Sequence, residues 1–154
     1  MTAYLLSTRC LYDIAVHDRN KAQLWFEDLV LRGRALSEIR ISAFSIPQIR
    51  FHFDEHPPTG PDDRKVQANF YKLVTQFTNM QAVLGCPPEA AYFWANTIGR
   101  SAVYDAPPPS RDIGSEVLIL ATAATKHNST RYTLVEKLQP IHGRLGIQVH
   151  DPYR

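Results

Sequence analysis

Short strand-like runs alternate in this sequence with longer helix-like stretches, and this alternation limits the folds that the chain can adopt. The run "AYLL" at residues 3–6 is short and apolar, as in a strand buried on both faces. "EIRISAF" alternates Ile39, Ile41 and Ala43 with polar residues, and "RYTLVEKL" and "LGIQVHDPY" supply two more short strands. Strands separated by helices form parallel sheets covered by helices. The sequence therefore predicts a three-layer α/β/α domain with a central, mostly parallel sheet.

The helical stretches near the N-terminus begin at residues that favour helix starts. Ser7 or Thr8 is suited to open a first helix, and Asn20 is suited to cap a second one, "NKAQLWFEDLVLRGR". Ser45 and Gln48 have the spacing of a capping box at the start of a third helix.

Two further helices are predicted in the second half of the chain. A stretch from residue 63 has apolar residues at helical spacing, and Gly85 is suited to stop it. "SEVLILATAATKHN" is almost entirely apolar, which predicts a buried helix with Ser115 as its N-cap and Asn128 at its C-terminal end.

Length and composition point to one soluble domain spanning residues 1–154. The chain has 154 residues, 44% of them hydrophobic and 21% charged, and a net charge of +2, which is too small to indicate a nucleic-acid partner by itself. Cys10 and Cys86 form no disulfide framework or zinc pattern. Neither a signal peptide nor a membrane span is predicted, so we expect a cytoplasmic protein without a membrane partner.

Ligands of such sheets bind at the carboxyl ends of the strands. This directs attention to residues 7–10, to residues 45–48, and to the helix start near Ser115.

At these places the chain resembles the PIN domain family, in particular its VapC or FitB-like toxin and plasmid-stability branch. Family members commonly begin "YLLDTNVL", where this chain reads "YLLSTRCL". They carry T-x-x-E after a strand, where Ser45 and Gln48 stand here. They carry "DALIAATA" in a buried helix, which is similar to "EVLILATA" at residues 116–123. The order and spacing of these motifs cover nearly the whole chain, and the resemblance implies a PIN-like fold.

The resemblance also implies an origin in metal-dependent ribonucleases, whose acidic residues hold magnesium or manganese. Carried over by position, the first acid is Ser7 and the second is Gln48, while Glu116 is retained as the third and is the candidate catalytic residue. The fourth acid falls loosely between Glu136 and Leu138, because residues are inserted near "NSTR". Hard cations need oxygen ligands, and neutral oxygens hold them weakly. The implied pocket (Ser7, Thr8, Arg9, Gln48, Asp112 and Glu116) is therefore vestigial.

Arg9 stands where relatives carry an asparagine. One hypothesis pairs its guanidinium with Glu116 in the place of the metal, because an unpaired buried carboxylate is costly. The other has Arg9 in solvent and Glu116 favouring the start of its helix. Asp112 and Asp13 could each supply a second carboxylate, but we favour an exposed loop position for Asp112 and a solvated helix position for Asp13.

Several other signals admit a chemical and a structural interpretation. "HFDEH" at residues 52–56 matches a zinc-protease pattern, although Pro57 and Pro58 favour the end of a helix. Cys10 beside Arg9 is either a thiol of lowered pKa or a small core residue. The aromatic residues at 92–94 could stack on bases or pack in the core.

Basic residues could form a phosphate-facing rim or a solvated surface. Arg9, Arg50 and Arg111 are the RNA-binding candidates. Further candidates for the rim are Lys65, Arg100, Lys126 and Arg131.

The function that the resemblance implies is that of a degenerate PIN-domain protein, nuclease-inactive, which acts by binding RNA or an antitoxin-like protein partner and carries no cofactor. The alternative is an active endoribonuclease that uses Mg or Mn, with Glu116 and either Asp112 or Asp13 as its ligands. A third interpretation is a structural homo-oligomer without a nucleic-acid partner. Relatives dimerise through helices on one side, and "QLWFEDLV" and "NFYKLVTQF" are the candidate segments for a homodimer contact, although packing in the core explains both equally well.

Overall fold

A computed structural model describes residues 3–32, 38–93, 96, 113–127 and 130–154, with only the backbone course for 113–118 and 127. The strands are β1 (Ala3–Leu6), β2 (Ile39–Ser42), β3 (Val83–Leu84), β4 (Lys126–His127), β5 (Thr130–Val135) and β6 (Val149–His150). The helices are α1 (Thr8–Val16), α2 (Lys21–Leu31), α3 (Ser45–Glu55), α4 (Pro61–Asn79), α5 (Pro88–Phe93), α6 (Ile113–Ala124) and α7 (Pro140–Arg144).

Five parallel strands form the central sheet in the order β3-β2-β1-β5-β6, and β4 pairs antiparallel with the start of β5. Leu5 in the central strand β1 faces Arg40 of β2 on one side and Leu134 of β5 on the other. The predicted mostly parallel sheet is confirmed.

Both faces of the sheet are buried, and neighbouring residues of β1 show it most directly. Leu6 packs in a cluster with residues of α1, α2, α3 and α4, whereas Leu5 packs in a second cluster with residues of α5, α6 and β5. Each is fully buried. Because successive side chains of a strand point to opposite faces, helices cover the sheet on both sides. The predicted three-layer α/β/α architecture is therefore confirmed.

Two of the predicted helix caps are confirmed and two are wrong. The Oγ of Ser7 accepts from the backbone N–H of Cys10, and Asn20 caps α2 by accepting from Gln23. Ser45 is the first residue of α3 rather than a capping box residue, and the N-cap position is occupied by Phe44. Helix α6 begins at Ile113, so position 115 lies inside the helix and cannot be its N-cap.

The long helix that was predicted to continue towards Gly85 is shorter than expected. Helix α4 ends at Asn79, Gln81 has a positive φ of 54°, and Val83 then pairs with Ile41 as part of β3. The residues after this turn gain sheet hydrogen bonds that a longer helix would forfeit. Among the described helices, none is long and apolar enough to cross a bilayer.

Candidate binding site at the strand ends

The ends of β1 and β5 lie side by side and open into a small crevice. Ser7 follows β1, and its backbone N–H donates to the carbonyl of Val135 at the end of β5 (3.1 Å). The chain leaves β1 towards β2 on one side, while β5 lies on the other side, so this is a switch point of the kind where ligands of parallel sheets bind. The crevice has a volume of about 70 Å³. We call it the strand-end crevice; its lining includes Ser7, Thr8, Glu136, Gln139 and His142.

The hydroxyl of Ser7 stands where the sequence resemblance implied the first acid, and two further hydroxyl groups lie at the starts of α1 and α3. The buried Oγ of Ser7 accepts from the backbone N–H of Cys10 (3.1 Å) and so caps α1. The Oγ1 of Thr8 and the Oγ of Ser45 are 2.9 Å apart and hydrogen-bonded, which joins the starts of α1 and α3. These oxygens are neutral and already engaged within the protein. They are therefore poor ligands for a hard cation.

Glu136 brings a carboxylate into the crevice. It is the first residue after β5, it is partly buried, and its Oε1 accepts from the N–H of Lys137 (2.6 Å). The sequence resemblance placed the fourth acid only loosely, between Glu136 and Leu138, and the predicted strand extended through Leu138. The signal that could have found it is its position at the carboxyl end of a strand next to β1.

His142 also lines the crevice, although no pattern in the sequence indicated it as a site residue. It lies in the short helix α7, is only 2% exposed, and its Nδ1 accepts from the backbone N–H of Gln139 (3.0 Å). Burial lowers the pKa of His142 below its usual value, so the imidazole is neutral near pH 7. A neutral imidazole can exchange hydrogen bonds with a ligand but adds no charge.

Gln48 lies next to the strand-end crevice, in a second concavity. This helix groove, between α1 and α3, is lined by Thr8, Tyr12, Gln48, Ile49 and His52 and has a volume of about 150 Å³. Thr8 lines both concavities. The structure thus places Ser7 and Thr8 together and Gln48 beside them.

Arg9 is held on the surface of α1. Its Nε lies 3.8 Å from Oδ2 of Asp13, and its guanidinium carbon lies 4.9 Å from the ring centre of Tyr153. Asp13 also accepts a hydrogen bond from the Tyr153 hydroxyl. The Glu116 side chain, Asp112, Arg111 and Arg100 lie outside the described residues, so the hypothesis of an Arg9–Glu116 pair stays a prediction.

The described side chains form no cluster of three or more His, Cys, Asp or Glu residues that could hold a metal ion. Helix α3 ends at Glu55, so the histidines of "HFDEH" do not lie on one continuous helix as the zinc pattern requires. Cys10 is fully buried, and burial together with the charges of Glu136 and Asp13 raises its pKa. The idea of a thiol with lowered pKa is therefore wrong, and Cys10 is a core residue.

The described basic candidates lie on exposed surfaces. They are Arg50 on α3, Lys65 on α4, Lys126 on β4, and Arg131 on β5, whose Nη2 donates to the carbonyl of Gly146 (3.1 Å). Tyr92 is highly exposed and Phe93 partly buried, so the two described aromatics of that trio face different environments, while residue 94 lies outside the description.

Comparison with known proteins gave one solved structure of the same fold. No family model matches the chain, and no curated protein matches it. The crystal structure of FitAcB from Neisseria gonorrhoeae superposes with a TM-score of 0.66 at 14% sequence identity, and the match covers 97% of this chain and 98% of the other. This likeness shows that the chain has a PIN-like α/β fold, as the sequence motifs predicted.

Proposed function

We propose that this chain is related to the VapC-type toxin ribonucleases of toxin–antitoxin and plasmid-stability systems and that it acts by binding rather than by metal-dependent hydrolysis. The fold shared with FitAcB and the motifs of the VapC or FitB-like branch support this relationship. RNA is the ligand we favour, and an antitoxin-like protein is the alternative partner. We place the protein in the cytoplasm.

The hydroxyl network at the start of α1 and α3 carries the proposal. Ser7 stands where the family pattern has its first carboxylate, and its Oγ is held in a hydrogen bond within the protein. Gln48 stands where the pattern has its second acid, on the helix whose start is joined to α1 by the bond between Thr8 and Ser45. Metal and ligand charges supply most of the stabilisation in phosphoryl transfer, and losing a single such group costs about a hundredfold or more in rate. Replacement of two acids therefore leaves little or no nuclease activity.

The same replacements favour RNA binding without a metal. A crevice with fewer carboxylates repels the phosphate backbone less than an acidic site does when its ion is absent. Arg9, Arg50 and Arg111 are the proposed phosphate contacts; of these, Arg9 and Arg50 are exposed in the described part of the chain. We also propose that the protein forms a homodimer through α2 or α4.

Glu136 supports a second candidate, a ribonuclease with a reduced metal site. Its carboxylate lines the strand-end crevice, and together with Glu116 and Asp112 it could hold Mg or Mn. This alternative makes Glu116 the catalytic residue of the family pattern.

Calorimetric titration with manganese separates the two candidates. The wild-type protein is compared with a Ser7→Asp, Gln48→Glu variant in which both replaced acids are restored. We expect no heat from the wild type and measurable binding by the variant. Manganese binding by the wild type, together with RNA cleavage that a chelator abolishes, would establish the ribonuclease instead.

Binding of RNA is tested by filter retention of single-stranded RNA at increasing salt. Phosphate contacts weaken steeply with salt, so retention by the wild type should fall as salt rises. A protein that retains no RNA but co-purifies with the product of a neighbouring reading frame would act through a protein partner.

A further inference from the structure

A third concavity continues the helix groove away from the strand-end crevice. It lies between the end of α3, the proline-rich loop and the start of α4, and its volume is about 390 Å³. We call it the aromatic cleft; its walls include Tyr12, His52, His56, Pro57 and Pro58. Tyr12 and His52 line both the helix groove and the aromatic cleft, just as Thr8 lines both the helix groove and the crevice. The three concavities therefore adjoin one another from the strand ends to the tip of α3.

The walls of the aromatic cleft include the packed rings of Tyr12, His52 and His56. The rings of His52 and His56 lie 4.7 Å apart at an angle of 32°, and the ring of Tyr12 meets His52 edge-on at 5.2 Å. Both histidines are exposed, and Tyr12 is partly buried. Because these rings already pack against one another, stacking a base on their outer faces would restrict few further side-chain torsions.

The carboxylate of the cleft is already engaged. Oδ2 of Asp63 accepts from the backbone N–H of Thr59 (3.1 Å) and from its hydroxyl (3.0 Å). These bonds tie the proline-rich loop to the first turn of α4 and fix the position of the carboxylate. Its negative charge still acts in the cleft, where it contributes, after burial, to the raised pKa of Tyr12. The cleft has a volume in the range of sites for small organic groups.

We propose that the aromatic cleft is a subsite that stacks an unpaired base of single-stranded RNA on Tyr12, His52 and His56. The inference rests on the proposed binding of RNA, and it assigns the base contact to a place away from the strand-end crevice. An RNA strand whose backbone passes Thr8 reaches the cleft through the helix groove, because the two share Tyr12 and His52. Stacking on aromatic side chains is the usual way in which proteins hold unpaired bases.

The test uses single-stranded oligoadenylate that carries a fluorescent adenine analogue, whose emission is quenched when it stacks on a ring. Affinity is measured by anisotropy and stacking by quenching.

The His52→Ala, His56→Ala variant should bind about tenfold more weakly, since one stacked base is lost, and should lose the quenching. His52→Phe, His56→Phe should retain both, because phenyl rings keep the π-faces. Phe51→Ala, which removes an exposed ring (62%) on the same helix outside the cleft, is the matched control and should bind as the wild type does.

The possible results separate failure of the proposed RNA function from failure of the subsite alone. If the wild type binds no RNA, the proposed RNA function fails and the subsite fails with it. If the wild type binds RNA but the double alanine variant binds and quenches equally, the function stands and the subsite is wrong. Failure of the phenylalanine variant to restore binding would show that the imidazoles act through charge or a hydrogen bond, which would also overturn stacking. Circular dichroism of every variant verifies that it is folded.

Discussion

The hydroxyl of Tyr153 donates a 2.6 Å hydrogen bond to Oδ2 of Asp13, a residue 140 positions earlier in the chain. The same tyrosine lies under the guanidinium of Arg9, and its backbone N–H donates to Oδ1 of Asp151 (2.8 Å). Through these contacts the end of the chain is fastened onto α1, which begins at the strand-end crevice. The geometry of the candidate site therefore depends on a contact far from it in sequence.

Removing this hydroxyl should destabilise the fold. In a Tyr153→Phe variant, Asp13 loses a charge-assisted hydrogen bond while the ring under Arg9 is kept, so the free energy of unfolding should fall by about 1.5 kcal/mol. Urea denaturation measures the change. The control is Tyr71→Phe, at a half-exposed ring of α4, which should change stability by less than about 0.5 kcal/mol. Equal effects of the two substitutions would contradict a stabilising role for the Tyr153–Asp13 bond.

Alkaline pH should weaken the fold through buried neutral groups. Burial raises the pKa of Cys10, and burial together with the hydrogen bond to Asp13 raises the pKa of Tyr153. Because both pKa values are higher in the folded state, their contribution is complete below the unfolded pKa and is lost as pH rises. An unfolded cysteine ionises near 9.0. The free energy of unfolding should therefore fall above pH 9 through Cys10, by about 1.4 kcal/mol per pH unit. Tyr153, whose ordinary pKa is 10.0, should add a smaller loss above pH 10, because its side chain is only partly buried.

Urea denaturation of the wild type and of Cys10→Ala over this alkaline range measures how much ionisation of the thiol contributes to the loss of stability. The substitution itself lowers stability at neutral pH, so the quantity to compare is the slope of stability against pH. The slope should be shallower in the variant, since alanine cannot ionise. Identical slopes in the two proteins would show that ionisation of Cys10 is not linked to unfolding.

Mild acid should act through His142. Burial lowers the pKa of this imidazole, so the unfolded chain, with a histidine pKa near 6.5, binds the proton more readily. Its contribution to stability is therefore complete above pH 6.5 and is lost as pH falls below that value. His150, whose pKa burial also lowers, contributes in the same direction.

A His142→Asn variant tests this dependence, because an amide oxygen can still accept from Gln139 but does not titrate. Its stability should change less than that of the wild type on going from neutral to mildly acidic conditions. Phe51→Asn, at an exposed position of α3 without a titratable group, serves as the control and should follow the wild type. A variant at 142 that lost stability as steeply as the wild type would refute the assignment.

Patterns of apolar residues and caps were sufficient to predict the layered sheet. The segments around Leu5, Ile41 and Leu134 have the apolar pattern that is typical of buried strands. Ser7 and Asn20 cap helices by accepting hydrogen bonds from the backbone N–H groups three residues later. These patterns and caps involve residues that are close together in the chain, so they can be recognised in the sequence without knowledge of the fold. The two-residue strands β3 and β4 were missed because two residues have no periodicity to read.

The site could be predicted only where its residues follow strands by the family pattern. Ser7 lies directly after β1, as its strand pattern indicated, but the hydrogen bond of Ser45 was not predicted, because its hydroxyl is bonded to Thr8, 37 residues away. Glu136 was located only within the range 136–138, since "VEKL" continues the alternation of the strand past Val135, its last residue. The contact between Tyr153 and Asp13 left no local signal, because each residue alone is compatible with a solvated surface.

A homodimer should form through α2 rather than α4. Both helices were candidates, but the large apolar residues of α4, Phe70 and Phe77, are buried in the core. On α2, by contrast, Leu31 is 84% exposed and Val30 is 40% exposed. Such side chains gain about 25 cal/mol for each Å² of apolar surface that a partner removes from water.

Sedimentation of the wild type should therefore show a concentration-dependent dimer that Leu31→Glu shifts towards monomer without loss of helix content. Leu138→Glu, at an exposed leucine beyond β5, should leave the dimer intact; a wild type that stays monomeric at all concentrations would rule the contact out.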